Sequence, residues 1–357
     1  MANEYLAYIG TYTSLGAEGI YCYRFDMATG GLEYVGTTGA IDDPSFLDIA
    51  PSGKYLYAVC ADFEAMTTGI IRAYSIDAGS GELTLLNEQS SEGTGPCHVE
   101  VDQTSRYVLL ANYGSGSVAS YPIQADGSLG KATGFVQHEG SSIDPERQQG
   151  PHGHSINIDP TNTFAFAADL GIDKVLAYRI NHDDGSITPA DSPYTRTPPG
   201  GGPRHFAFHP NGRHAYLLNE MGSSVTAMHY DDSRGMLNEI GTLTTLPDDF
   251  DGVNHCADIH VSPDGEFVYA SNRGHDSIAV FGIDQDTGAL SFVGRVSSGG
   301  ETPRNFALDP SGTYMLVSNQ DTGNILTYRI NGDTGMPEPT GHEIDVPAPV
   351  CIKLLPA

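Results

Sequence analysis

The sequence contains one pattern seven times, and this repetition restricts the fold more than any other feature. Each copy is a short apolar segment that ends on an aromatic residue or Met and is followed by an acidic turn with Gly. Successive copies lie 47 to 57 residues apart. A period near 50 residues with Gly-rich turns is typical of propeller blades built from about four strands. The aromatic or Met positions, which we expect to pack in the core, are Tyr23, Tyr74, Tyr121, Tyr178, Met228, Phe281 and Tyr328.

A second recurring segment precedes the first, and the chain termini split one copy of it. It consists of an apolar strand that ends on Pro, a Gly turn and a further hydrophobic run, with Gln103 in place of Pro in one copy. Six copies are complete, whereas residues 349–356 match the Pro-terminated strand at 44–51 and residues 5–12 match the run after the turn. The C-terminal strand therefore completes a blade whose other strands come from the N-terminus, which leaves no open sheet edge.

These patterns predict an all-β fold: a seven-bladed β-propeller with four-stranded blades, formed by residues 1–357 as a single domain. The N-terminal strands are expected to close the ring by pairing with a C-terminal innermost strand. A parallel solenoid is the rival fold, but its repeats are shorter and it gives no reason for a split terminal unit. Helices should be few, because no segment keeps a 3.6-residue apolar period without Gly or Pro.

The polar residues of the repeats should gather on one face of this ring. If the strands of a blade are named A to D from axis to rim, the loop into A and the loop out of B share one face. Those loops contain His, Arg, Glu and Asn, whereas the turns of the other face include Pro-Ser-Gly, Pro-Asp-Gly and Asp-Thr-Gly, which are ordinary turn sequences. The polar face predicts a binding site at one mouth of the central tunnel, and we expect an anionic or carbonyl-bearing small molecule there.

The longest spacing between repeats marks an insertion at residues 139–150, which enters an A strand from the polar face. We expect this loop to overhang the tunnel mouth and to bring Arg147 to it.

The net charge of the chain argues against several classes of partner. Lys and Arg number 17 and Asp and Glu number 45, so the formal net charge is −28. Such a surface repels phosphate backbones and anionic lipid, so we expect neither nucleic-acid nor membrane binding. The first residues show no basic segment followed by a long apolar one, and the five cysteines contain no CxxC pair. Free thiols in the cytoplasm are therefore expected, while a monomer and a dimer remain equally open.

The motifs resemble those of the seven-bladed lactonase family, which includes propeller-type 6-phosphogluconolactonase and carboxy-muconate cyclase. The resemblance rests on Arg147-Gln148 before a His-Gly-His segment at 152–154, on Gly-Pro-Arg-His at 202–205, on Asn-Glu at 219–220 and on Asn-Arg-Gly-His at 272–275. The spacer Gly153 departs from the Ala that is frequent in the family. The resemblance implies a catalytic set consisting of His154, Arg204, Glu220 and Arg273. The candidate substrate-binding residues are His98, Arg147, Gln148, His152, Asp169, Arg304 and Asn305.

The expected activity is hydrolysis of a small, sugar-derived lactone, which can carry a phosphate. His154 or Glu220 would handle protons and the arginines would stabilise negative charge. Two alternatives stay open: a muconate-type lactonising cyclase, and a non-catalytic propeller that binds a ligand or a protein. No cofactor and no metal are expected, although His152 and His154 leave a metal-dependent lactonase as a further alternative. No G-x-S-x-G segment is present, which disfavours a covalent acyl-enzyme.

The acidic surface predicts that salt stabilises the protein. At molar ionic strength the repulsion among carboxylates is screened within a few ångströms. We therefore expect the melting temperature, measured by calorimetry, to rise by several degrees between dilute buffer and molar KCl. A melting temperature that stays constant or falls would contradict this view of the surface.

Overall fold

The computed structural model describes residues 2–61 and 68–357 and confirms the seven-bladed β-propeller. Seven sheets of four antiparallel strands are present, numbered here as blades 1 to 7, with strands β1 to β28 in chain order. Blade 1 contains β1 (Glu4–Thr11), β2 (Ile20–Asp26), β3 (Leu32–Thr38) and β28 (Pro349–Pro356). Blade 2 contains β4 (Pro44–Ile49), β5 (Tyr55–Cys60), β6 (Thr68–Ile76) and β7 (Leu83–Thr94). Blade 3 contains β8 (Pro96–Val101), β9 (Tyr107–Asn112), β10 (Ser117–Pro122) and β11 (Gly134–Gln137).

The remaining four blades follow the same order along the chain. Blade 4 contains β12 (Gly153–Ile158), β13 (Phe164–Asp169), β14 (Lys174–Ile180) and β15 (Ile187–Arg196). Blade 5 contains β16 (Pro203–Phe208), β17 (His214–Asn219), β18 (Ser224–Asp231) and β19 (Met236–Thr244). Blade 6 contains β20 (His255–Val261), β21 (Phe267–Arg273), β22 (Ser277–Ile283) and β23 (Leu290–Ser297). Blade 7 contains β24 (Pro303–Leu308), β25 (Tyr314–Asn319), β26 (Asn324–Ile330) and β27 (Pro337–Asp345).

Blade 1 closes the ring in the way that the split repeat predicts. Its strand order is β28–β1–β2–β3, so the C-terminal strand is the innermost strand A of a sheet that otherwise comes from the N-terminus. The antiparallel register pairs Tyr5 with Pro356 and Ile9 with Ile352. Each A strand packs against the A strand of the next blade, and this order returns from β28 to β4.

Side chains on the A strands connect neighbouring blades through hydrogen bonds to backbone N–H groups. The inner edge of an A strand has no strand partner, so its N–H groups need other acceptors. Asn305 Oδ1 accepts the N–H of Ile352 at 2.7 Å, and Cys351 Sγ accepts the N–H of Leu47 at 3.4 Å. The same type of bond joins Val101 to Asp48, Ile156 to His98, Ile158 to Glu100 and Phe306 to Asp258.

Tyr hydroxyls on the B strands make a second set of contacts between blades. Each donates to a carbonyl in the turn between strands C and D of the next blade; the donors are Tyr8, Tyr57, Tyr107, Tyr216 and Tyr269. Four of the five acceptors are Gly carbonyls, and those glycines all have a positive φ, which L-residues rarely adopt. The aromatic or Met positions of the C strands are all buried, as predicted.

Helical structure is limited to a 3₁₀ turn, Thr13–Leu15, in the described part of the chain. Within residues 2–61 and 68–357 the structure has no helix that could span a membrane.

The raised pKa of Glu100 predicts how the melting temperature depends on pH. Burial and the nearby Asp48 carboxylate raise the pKa of Glu100 from 4.5 to about 8, so the folded protein holds a proton there that the unfolded chain releases. Because the folded state binds this proton more tightly than the unfolded chain, the proton stabilises the fold. This stabilisation is complete below pH 4.5 and is lost as pH rises through about 8. Glu100→Gln should therefore melt a few degrees higher than wild type at pH 8 and near the wild-type temperature at pH 4.5. Parallel melting curves across this range would contradict the assignment.

Candidate active site

A cavity of about 420 Å³ opens at the mouth of the tunnel where the A strands begin and the B strands end. It lies on the face that the sequence predicts. Its walls combine three arginines with His, Glu, Cys and Tyr side chains. The lining residues are Tyr12, Ser14, Leu15, Asp43, Cys97, Tyr113, Arg147, His154, Glu220, His255, Arg273 and Arg304.

A β-bulge near the start of every A strand selects the residues that line the passage below this cavity. The pairing register between strands A and B skips one residue in six blades, and in β20 the shift spans residues 257–258. Bulges re-aim side chains and are common beside active sites. The skipped residues all line the narrow passage that continues from the cavity along the axis: Ser45, Cys97, His154, Arg204, Arg304 and Val350.

A second group of cavity residues stands where the chain leaves strand B. The residues that pair with the A-strand residue just before the bulge include Thr11, Asn112, Asn219 and Asn272. The residue that follows each of them lines the cavity; these four are Tyr12, Tyr113, Glu220 and Arg273. The propeller therefore places Glu220 and Arg273 at equivalent positions of adjacent blades.

The insertion at residues 139–150 brings Arg147 to this site, and Asp169 holds both ends of the loop. Asp169 Oδ2 lies 2.5 Å from His138 Nδ1 just before the loop, and Oδ1 accepts the N–H of His152 just after it at 2.7 Å. Gln148 is fully buried within the loop and donates to the carbonyl of Leu170 at 2.8 Å. Asp169 thus holds the residues on either side of the loop, and Gln148 attaches the loop to the residue that follows β13.

Glu220 is the centre of the site, because four cationic or titratable side chains contact its carboxylate. Arg147 Nη2 lies 2.9 Å from Oε1, while Arg204 Nε and Arg273 Nη2 lie 2.9 and 3.1 Å from Oε2. His154 Nε2 is 3.7 Å from Oε2. We call these five residues the Glu220 cluster.

Burial and charge set the protonation states within the Glu220 cluster. Burial opposes the ionisation of Glu220, but Arg273, Arg204, His154 and Arg147 together hold the pKa of this carboxyl well below its usual range. Burial and the Arg204 guanidinium lower the pKa of His154 well below the ordinary value of 6.5. Burial and the neighbouring arginines lower the pKa of Arg204 to about 10. At neutral pH the site therefore holds an ionised carboxylate, charged guanidinium groups and a neutral imidazole.

Cys97, Tyr12, Tyr113 and His255 are cavity residues that sequence reasoning missed. Cys97 Sγ lies 3.8 Å from His154 Nδ1, and burial raises the pKa of its thiol to about 12, so it is a thiol at neutral pH. Tyr113 accepts a hydrogen bond from Arg147 at 3.1 Å.

The structure brings together six of the predicted site residues and places the other five elsewhere. His154, Arg204, Glu220, Arg273, Arg147 and Arg304 meet at the cavity or the passage below it. His98 and Asn305 instead line a separate cavity of about 460 Å³ farther along the axis, which also contains Asp48, Glu100, Asp258 and Lys353.

The other three residues lie around the insertion. Gln148 and Asp169 are fully buried and bind the backbone of Leu170 and His152, and neither lines the cavity. His152 stacks on Tyr113 with 4.6 Å between the ring centres, and its Nδ1 lies 2.8 Å from the Tyr113 carbonyl. His152 therefore supports the cavity wall from behind.

Comparison with known proteins agrees with this geometry over almost the whole chain. The family model described as lactonase, 7-bladed beta-propeller, matches residues 6–354. The chain belongs to this lactonase family. The family resemblance inferred from the motifs and the expected enzyme class, a lactone hydrolase, are thereby confirmed at the level of the family.

Individual relatives match from end to end. A 6-phosphogluconolactonase of Bacillus subtilis is 40% identical over 353 residues, which cover 99% of each chain. A 6-phosphogluconolactonase of Formosa agariphila is 36% identical over 345 residues, covering 95% of this chain and 96% of the relative. The solved structure of a periplasmic gluconolactonase of Pseudomonas aeruginosa superposes with a TM-score of 0.93 at 33% identity, and 99% of each chain is covered.

The contacts within the Glu220 cluster predict that replacing the Glu220 carboxylate with an uncharged amide strongly destabilises the protein. Glu220→Gln leaves three guanidinium groups without their shared carboxylate, and breaking a buried ion pair in this way costs about 3–5 kcal/mol. We expect the free energy of unfolding, from denaturant titration, to fall by this order.

Glu88→Gln is the matched control, because the Glu88 side chain is 52% exposed and pairs with Arg72. Its effect should stay below about 1 kcal/mol. Equal losses in the free energy of unfolding would show that the Glu220 carboxylate does not stabilise the fold through its three guanidinium contacts.

Proposed function

We propose that the protein hydrolyses a sugar-derived lactone, as a 6-phosphogluconolactonase does, in the cavity at the Glu220 cluster. The strongest support is the arrangement of charges beside the cavity of about 420 Å³. The ionised carboxylate of Glu220 contacts three arginines and lies next to the neutral imidazole of His154. The full-length match to curated 6-phosphogluconolactonases also supports it. A propeller that serves only as a scaffold has no need for such a cluster.

In this proposal His154 is the base and Glu220 keeps its charge throughout. Both groups have lowered pKa values, but the Glu220 carboxylate is occupied by three guanidinium groups, whereas the neutral imidazole of His154 keeps a lone pair that can accept a proton. His154 takes a proton from a water molecule as the oxygen of that water attacks the lactone carbonyl. Arg147 and Arg273 face the cavity and donate hydrogen bonds to the oxyanion that forms.

Collapse of the tetrahedral intermediate then opens the ring. The bond between the carbonyl carbon and the ring oxygen breaks, and the imidazolium of His154 returns its proton to the departing alkoxide. The carboxylate of Glu220, 3.7 Å from His154 Nε2, stabilises the imidazolium during the step. The hydroxy acid is formed with one water consumed, and no residue of the chain is changed.

The role of His154 is tested by His154→Gln on glucono-δ-lactone, 6-phosphoglucono-δ-lactone and muconolactone, measured above the spontaneous rate of ring opening. General-base catalysis contributes about 10²–10⁴-fold, so we expect kcat to fall by at least 100-fold with little change in KM.

His229→Gln is the matched control, because His229 is exposed on strand C of blade 5. It should retain wild-type rates. A wild-type protein inactive on all three lactones would refute the proposed function, whereas an active His154→Gln variant would refute only the role of His154. Muconolactone turnover alone would favour the cyclase.

The pH profile gives an independent test of the same assignment. Since the neutral form of His154 is the active one and its pKa lies well below 6.5, kcat/KM should be constant near neutral pH. The acid limb should begin below pH 6.5. An acid limb centred at pH 7 or above, measured with a pH-stat, would contradict a buried neutral base.

A further inference from the structure

Cys97 is a thiol in the cavity wall that lies directly against His154. It occupies the bulge of β8, as His154 occupies the bulge of β12 in the next blade. The two side chains therefore stand at equivalent positions of neighbouring A strands, and both line the cavity. Burial raises the pKa of the Cys97 thiol to about 12. The sulfur thus keeps its proton at neutral pH and is not a thiolate nucleophile.

The proton of this thiol is directed at the backbone of β12. Cys97 Sγ lies 3.2 Å from the carbonyl oxygen of His154 and 3.7 Å from that of Gly153. A carbonyl oxygen can only accept a hydrogen bond, so the thiol is the donor in this contact. Because the thiol has a single proton and the carbonyl of His154 is the nearer of the two acceptors, the S–H group donates to that oxygen.

The imidazole ring of His154 faces the same sulfur with its Nδ1 atom. Nδ1 lies 3.8 Å from Cys97 Sγ. Since the thiol proton is directed at the carbonyl, the sulfur presents its lone pairs to Nδ1, and a lone pair on Nδ1 would be repelled by them. A proton on Nδ1 instead makes this contact a weak N–H···S hydrogen bond. The sulfur therefore favours the tautomer of the neutral imidazole that has its proton on Nδ1.

The surroundings of the other ring nitrogen, Nε2, agree with a lone pair at that atom. Glu220 Oε2 lies 3.7 Å from Nε2, which is longer than a hydrogen bond, and this oxygen already contacts Arg204 and Arg273 at 2.9 and 3.1 Å. Arg204 lowers the pKa of His154 more than Glu220 raises it, so the local charge opposes an additional proton on the ring. Within residues 2–61 and 68–357 no side chain holds a proton on Nε2 through a hydrogen bond.

We infer that the thiol of Cys97 fixes the tautomer of His154, with the proton on Nδ1 and the lone pair on Nε2. In a neutral histidine, the partner of one ring nitrogen decides which nitrogen is free to act as a base. The inference rests on the proposed lactonase function and names the atom involved: Nε2 takes the proton from the attacking water and returns it to the departing alkoxide. Cys97 is a positioning residue, which acts through His154 and keeps its own proton throughout.

Nuclear magnetic resonance of the imidazole nitrogens tests the tautomer without any turnover. In long-range ¹H–¹⁵N spectra a nitrogen with a proton and a nitrogen with a lone pair have different chemical shifts. His154→Gln identifies the signals of His154 among those of the 13 histidines. Near neutral pH, wild type should show a proton on Nδ1 and none on Nε2. In Cys97→Ala the two shifts should move toward each other, because the second tautomer becomes populated.

Two spectroscopic results would overturn the inference. The first is a proton on Nε2 of His154 in wild type. The second is a set of His154 signals that is the same in wild type and in Cys97→Ala, which would show that the thiol does not select the tautomer.

Kinetics should show the effect on the chemical step, measured on the lactone that wild type hydrolyses fastest. Cys97→Ala should lower kcat by roughly 3- to 10-fold, the range expected for the loss of one neutral hydrogen bond, with KM nearly unchanged. Cys97→Ser keeps a group that both donates and accepts hydrogen bonds, so it should retain more of the wild-type kcat than Cys97→Ala does. An unchanged kcat in Cys97→Ala, or a loss confined to KM, would overturn the inference.

Cys22→Ala is the matched control, because Cys22 is a buried cysteine on β2 that does not line the cavity. It should leave both kcat and the signals of His154 unchanged, and an effect equal to that of Cys97→Ala would overturn the inference. The two readouts also separate two failures. If no lactone is hydrolysed but the tautomer still depends on Cys97, the proposed function fails and the tautomer assignment stands. If wild type and Cys97→Ala hydrolyse the lactone equally fast, the proposed function stands and the role of Cys97 fails.

Discussion

The unpaired inner edges of the seven A strands are the constraint on which the rest of the structure depends. Around the axis each A strand pairs with its B strand on one side only, and its remaining N–H groups must find acceptors. Side chains of the preceding blade supply them, as Asn305 does for Ile352 and Glu100 for Ile158. Many polar residues of the A strands are therefore present because the ring needs them, and residue type alone does not separate them from residues that contact a ligand.

The β-bulges separate these two roles within the same strands. The residue after the bulge, such as His98 or Asn305, connects blades, whereas the skipped residue before it, Cys97 or Arg304, lines the passage at the mouth. The bulge, repeated around the ring, thus separates residues that connect neighbouring blades from residues that line the passage. Since all blades share it, the chemistry of the site depends on which residues occupy equivalent positions.

The fold was predictable because repeat length, turn residues and the split terminal unit all indicate the same closed ring. The face of the cavity and the meeting of His154, Arg204, Glu220 and Arg273 beside it were also predictable, the former from strand direction and the latter from family motifs. The bulge was not, because no residue pattern in a six-residue strand marks where pairing shifts register. The hydrogen bonds of Asp169 were not predictable for a related reason: the sequence shows its carboxylate but not the contacts with His138 and His152.

The central claim is that a lactone binds at the Glu220 cluster, in an arginine-lined cavity of a strongly acidic protein. A crystal structure with 6-phosphogluconate bound tests this most directly, since the product carries the new carboxylate. The account predicts density in the cavity at the bulged ends of the A strands, with the carboxylate near His154. Product bound in the other axial cavity, beside His98 and Lys353, would contradict it.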